Sequence, residues 1–278
     1  MALHESYKWA IIWRVPQPCF ARRIIRVARL DPLSARTGRY MHTETLKYEA
    51  DGLNFESHLY FDKSKIGKRP AVLVFPEAFG LGDHAKSKAR RLAELGFVTL
   101  ASDLHGEGKI VRDLEAVMGL IGPLMADPSG TRTRAKAGLA ALKGRPEVDA
   151  ARIAAIGYCF GGTMALELAR SGSDVVGVAG FHSGLGTARP QDARNIKGKV
   201  LVCIGADDPM IGAEPREAFV QEMRAGGVDW QMELYGGVVH SFTNPEADKQ
   251  GNPALKYDAK ADVRSWAKLQ GFLDEIFA

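Results

Sequence analysis

A chain of 278 residues, 46% of them hydrophobic and 25% charged, is long enough to bury one large core and has the composition of a globular enzyme, which excludes fibrous and disordered classes. The formal charge of +4 is concentrated at one end. Residues 1–40 hold seven Arg and one Lys against Glu5 and Asp31, while the remaining 238 carry 29 basic and 31 acidic residues, so the body is no binder of nucleic acid or other polyanions.

In the first forty residues, Trp9, Ile11, Ile12 and Trp13 precede a Pro-broken, Arg-rich stretch from Arg14 to Arg39, and Met41 follows. A regular pattern starts just after that methionine. Residues 1–40 therefore read as a basic N-terminal extension, either a leader or an over-long translation start, with a targeting segment or a surface-binding arm as the functional alternatives. Residues 41–278 read as one domain. Two extended segments, 43–50 and 53–62, turn through Asp51-Gly52, a hairpin dipeptide. Short apolar runs at 71–75, 97–101, 152–157, 175–180 and 200–204 are of the kind buried on both faces of a parallel sheet. Between and after them, helical patterning predicts helices near 84–95, 110–125, 131–142, 163–171 and 214–225, and a last one over about 254–277. In the last, Val263, Trp266, Leu269, Leu273 and Ile276 form a core-facing stripe. Strands alternating with helices predict an α/β fold with a doubly wound, mostly parallel sheet. No apolar run reaches the roughly 18 residues of a membrane span, so no membrane partner is expected.

Three cysteines, Cys19, Cys159 and Cys203, are too few and too widely spaced for a disulfide framework, and none forms a CxxC pair. They fit a reducing, cytoplasmic compartment. Cys159 stands in Gly157-Tyr158-Cys159-Phe160-Gly161-Gly162, between a predicted strand and a helix. A turn tight enough to lift one side chain above the sheet edge needs neighbours without Cβ, hence the glycines. The helix N-terminus favours a thiolate and then an oxyanion, and the Phe160 amide would donate to that oxyanion. Two other readings exist for the segment alone: a buried inert cysteine, or a dinucleotide loop, whose G-x-G-x-x-G spacing is missing. Partners downstream favour catalysis. The strand over 200–204 ends in Gly205-Ala206-Asp207-Asp208, and a histidine, His240, lies beyond the last strand. Cys159, Asp208 and His240 follow the chain order nucleophile, acid, histidine of α/β-hydrolases. Pro76-Glu77-Ala78-Phe79-Gly80, after the first buried strand, places Ala78 to lend the second oxyanion amide and sets the Glu77 carboxylate by the thiol, either to control its ionisation or to bond the loop backbone.

These motifs, P-E-A-F-G at 76–80, D-L-H-G-E-G at 103–108, G-Y-C-F-G-G at 157–162, G-A-D-D-P at 205–209 and H-S-F at 240–242, resemble those of the dienelactone hydrolase family over residues 43–277. The resemblance implies the α/β-hydrolase fold, a Cys159-His240-Asp208 triad, and a Glu77 that restrains the resting thiol until substrate displaces it. It implies no metal or organic cofactor. Family members clamp a substrate carboxylate with two arginines. Here the corresponding loop reads His105-Gly106-Glu107, and the fourth residue after His240 is Asn244. Without bidentate clamps, a neutral and partly aromatic ester or lactone is the expected substrate, held among Phe79, Phe160, His182 and Met210, with His105, Glu107 and Asn244 nearby. The expected chemistry is thiolate attack, a thioester at Cys159 and hydrolysis by water activated by His240, in a monomer or homodimer. The alternatives are a phosphotriester substrate attacked by the same cysteine and, from another class, a thiol redox sensor or non-catalytic binder.

Overall fold

The computed structural model describes residues 40–278; apart from Tyr40, the basic segment expected at 1–40 lies outside the described residues. Strands β1 (Met41–Ala50) and β2 (Leu53–Asp62) form the expected hairpin. Both turn residues are left-handed, Asp51 at φ 52° and Gly52 at φ 69°, as the favoured two-residue turn requires. There follow β3 (Arg69–Phe75), α1 (Asp83–Glu94), β4 (Val98–Ala101), α2 (Leu114–Ala126), α3 (Pro128–Lys143), β5 (Val148–Tyr158) and α4 (Phe160–Arg170). The chain continues through β6 (Gly177–Phe181), β7 (Lys199–Gly205), α5 (Ala213–Gly226), β8 (Trp230–Tyr235) and α6 (Ala259–Phe277).

The eight strands make one sheet in the order β1-β2-β4-β3-β5-β6-β7-β8. β2 pairs antiparallel with β1 and β4, and every pair from β4 to β8 is parallel. Alternation along a strand sends neighbours to opposite faces. In β3, Ala71, Leu73 and Phe75 join the layer of α2 to α5, with Val117, Leu139, Met164 and Phe219. Val72 and Val74 join the layer of α1 and α6, with Leu92, Trp266 and Leu269. A sheet covered on both faces is the physical reason its central strands carry no polar alternation.

Caps decide where helices begin. α2 starts at Leu114, four residues later than its apolar pattern suggests, because Asp113 accepts the Ala116 amide at 2.8 Å. Asp127, extended ahead of Pro128, ends α2 and caps α3 by accepting from Ser129 N at 3.1 Å. α6 starts at Ala259, after Pro253, where Asp258 accepts from Ala261 N at 2.8 Å. Its expected stripe holds from Trp266 onward, but Val263 is 66% exposed. α4 has no side-chain cap at all, and its N-cap residue is Cys159. Among the described residues, no helix is long and apolar enough to cross a membrane.

Candidate active site

The carboxyl ends of the parallel strands bring the chemistry-bearing loops to one edge. β5 ends directly at Cys159, whose backbone is left-handed at φ 54°, ψ −123°. This strain for a residue with a Cβ marks the sharp elbow between strand and helix. The flanking glycines are sterically required: a Cβ on Gly157 would strike the Gly161 carbonyl, and one on Gly161 would strike the carbonyls of Pro76 and Phe75. Close approach of α4 to the β3 loop therefore depends on having no side chain there. That approach sets the Phe160 amide, at the uncapped helix N-terminus, beside the loop that carries Ala78. Among the described residues, neither amide donates a turn or loop hydrogen bond.

After β7, Asp208 is 2% exposed; its Oδ1 accepts from Met210 N at 2.8 Å and its Oδ2 lies 2.7 Å from Nδ1 of His240. His240 follows β8 and is 3% exposed, with its backbone held on both sides by Ala254 O and Lys256 N. Its Nε2 is buried and has no hydrogen-bond partner among the described residues. Burial disfavours charge on this ring. The negative charge of a Cys159 thiolate and the bond to Asp208 outweigh that burial and raise the His240 pKa to about 10.

Glu77 is 7% exposed. Its Oε1 accepts from Ser241 Oγ at 3.0 Å and its Oε2 from Asn244 Nδ2 at 2.5 Å. Burial raises its pKa, against those two hydrogen bonds. The carboxylate is therefore engaged by side chains of the loop after His240, neither by that loop's backbone nor by the thiol. Asn244, expected near substrate, is buried, and its amide is committed to Glu77 and to Glu246 N.

Two histidines expected around substrate are buried and bonded within the protein. His105 is 6% exposed and donates from Nε2 to the Ala78 carbonyl at 2.8 Å, which orients the peptide after Ala78. His182 has a fully buried side chain with both ring nitrogens bonded within the protein. The structure leaves Glu107 and Met210 exposed and Phe79 half-buried against the core. Sequence reasoning missed Ser241, Thr243 and His84, which complete the polar cluster under the site. It also missed the work of Asp103, whose carboxylate takes the amides of Glu56, His105 and Gly108 and so fixes the loop bearing His105 and Glu107. The H-S-F and D-L-H-G-E-G motifs contained Ser241 and Asp103, but Ser241 bonds Glu77, 164 residues away, and Asp103 reaches back 47 residues to Glu56.

The family profile described as the dienelactone hydrolase family matches residues 55–277. A protein of Methylorubrum extorquens provisionally named carboxymethylenebutenolidase is 28% identical over 73% of this chain and 71% of its own length. Among solved structures, the dienelactone hydrolase-like promiscuous phosphotriesterase P91 from metagenomic libraries is 44% identical, with a TM-score of 0.82 over 85% of this chain and 99% of that one. The structure named m3DLH is 46% identical, with a TM-score of 0.84 over 86% of this chain and 100% of its own. By sequence and by fold, the chain belongs to the dienelactone hydrolase family and is a hydrolase.

Proposed function

We propose that the protein hydrolyses small neutral esters or lactones through a covalent thioester at Cys159. The observation that carries this reading is the buried His240, tethered to Asp208 through Nδ1 and leaving Nε2 free, with its charge favoured by a Cys159 thiolate. The thiolate attacks the carbonyl carbon, forming the C–S bond while the carbonyl electron pair moves onto oxygen. The amides of Ala78 and Phe160 receive that oxyanion. Its collapse expels the alcohol oxygen, which takes the proton from His240. Water then gives a proton to neutral His240 and attacks the thioester, and the second collapse releases the carboxylic acid and restores the thiolate. Asp208 keeps His240 in the tautomer and orientation both steps need. With Glu107 in the loop of one expected clamp and Asn244 at the position of the other, an anionic substrate meets no arginine at either place.

A phosphotriester is the second reading, favoured by the 44% identity to a structure named as a promiscuous phosphotriesterase. The same thiolate would attack phosphorus and displace an aryloxide. The test is turnover of p-nitrophenyl esters, aryl lactones, dienelactone and paraoxon by the wild type, Cys159→Ala and His240→Ala. Neutral esters are expected to turn over best, with a loss of about 10⁴-fold or more in both variants. Ester turnover unaffected by Cys159→Ala contradicts the mechanism, and dienelactone turned over as well as neutral aryl esters contradicts the substrate class.

A further inference from the structure

Behind Cys159 and His240 lies a buried layer of side chains that the hydrolytic steps do not use. His182 is 0% exposed. The Cys159 backbone N–H donates to its Nδ1 at 3.2 Å and to the Phe181 carbonyl at 2.9 Å. An amide can only donate, so Nδ1 bears the lone pair and the ring proton sits on Nε2, which donates to Thr243 Oγ1 at 2.8 Å. Thr243 is fixed in turn, because its carbonyl accepts from Nε2 of His84 at 3.0 Å. Burial keeps both supporting rings neutral, lowering the His84 pKa to about 3 and that of His182 well below the usual imidazole value.

The same His182 ring packs against His240, with centroids 5.1 Å apart and planes at 65°, and against Phe242 at 5.2 Å. It therefore touches the nucleophile's backbone and the base's ring at once. Three non-glycine residues with left-handed backbones lie in this cluster: Cys159 at φ 54°, His182 at φ 41° and Ser241 at φ 57°. Such conformations last only where the surroundings hold them, and they gather at functional sites.

We infer that His182 is a positioning residue, a role that rests on Cys159 being the nucleophile: its Nδ1 holds the elbow amide and its ring packs against His240, while Thr243 anchors its Nε2. A displacement of about 1 Å at either reacting group lowers a rate by about 100-fold, so the role appears in kcat and leaves KM alone.

The test compares His182→Asn, His182→Gln and His182→Phe with the wild type, using p-nitrophenyl acetate. Rates are normalised to thiol-titrated folded enzyme, and thermal midpoints are measured alongside. Asn sets an acceptor oxygen near the Nδ1 position, Gln mimics only the Nε2 end, and Phe keeps only the ring. Phe and Gln are expected to lower kcat by about 10- to 100-fold with KM within about twofold, and Asn to recover it to within about threefold of the wild type. The role is overturned if Asn does no better than Phe, if Gln rescues where Asn does not, or if the loss vanishes on normalisation to folded enzyme. Cys159→Ala is run in parallel. Turnover that survives there sinks the nucleophile assignment, whereas an unimpaired His182→Phe beside an inactive Cys159→Ala sinks only the positioning role.

Discussion

The elbow around Cys159 and the loop from His240 to Asn244 face each other across the same site but are held by different forces. The elbow is a steric object. Gly157 and Gly161 let α4 press against β5 and the β3 loop, and the conformation of Cys159 follows from that contact. The opposite loop is a polar object, in which Ser241 and Asn244 bind the Glu77 carboxylate, Thr243 joins His182 to His84, and His240 binds Asp208. Close contact of backbones tolerates no added atom, whereas a hydrogen-bonded cluster can lose one member and persist with reduced stability.

That contrast ranks the expected damage. Gly161→Ala drives a methyl into the carbonyls of Pro76 and Phe75, backbone atoms that cannot swing aside. It is expected to destabilise the fold by at least about 3 kcal/mol and to abolish turnover, measured by denaturant melts and ester assay. Asn244→Ala removes one of the two side-chain donors to buried Glu77. The expected cost is about 2 kcal/mol in the same melts, with the fold retained. If the two substitutions cost the same, the distinction between steric and polar halves fails.

Acidity probes the polar half more gently. His84 has a folded pKa lowered to about 3 from its ordinary 6.5, so the unfolded chain binds a proton that the native state refuses. Its contribution is complete above about pH 6.5 and is lost as pH falls toward 3, at up to about 1.4 kcal/mol per pH unit. His182 acts in the same direction, whereas Glu77, whose carboxyl is raised, acts oppositely over its own range. His84→Gln, whose amide nitrogen can stand in for Nε2 toward Thr243, is expected to flatten the acid-side slope in denaturant melts across pH. An unchanged slope would show that His84 is not the neutral group assigned.

The steric half was legible in the sequence, and the polar half was legible only in part. Apolar runs such as Ala71 to Phe75 announce strands buried on both faces, and glycines around Cys159 announce a tight turn, because both signals are local. The order of Cys159, Asp208 and His240 carries the rest of the expected triad. Glu77 could be located but its partners could not, since Ser241 and Asn244 are more than 160 residues away. His182 is expected in the pocket from its place after a strand, but its surroundings are not local in sequence; packing sets it against Cys159, Thr243 and His240. Val263 failed for a geometric reason. At about 100° per residue it lies about 100° from the centre of the arc set by Trp266, Leu269, Leu273 and Ile276, outside the buried face.

The most direct test of the account is mass spectrometry of enzyme quenched during turnover of a slowly hydrolysed p-nitrophenyl ester. An acyl group on the peptide containing Cys159, accumulating further in His240→Ala and absent from Cys159→Ala, is the result predicted. An acyl group on any other residue, or steady turnover by Cys159→Ala, would contradict it.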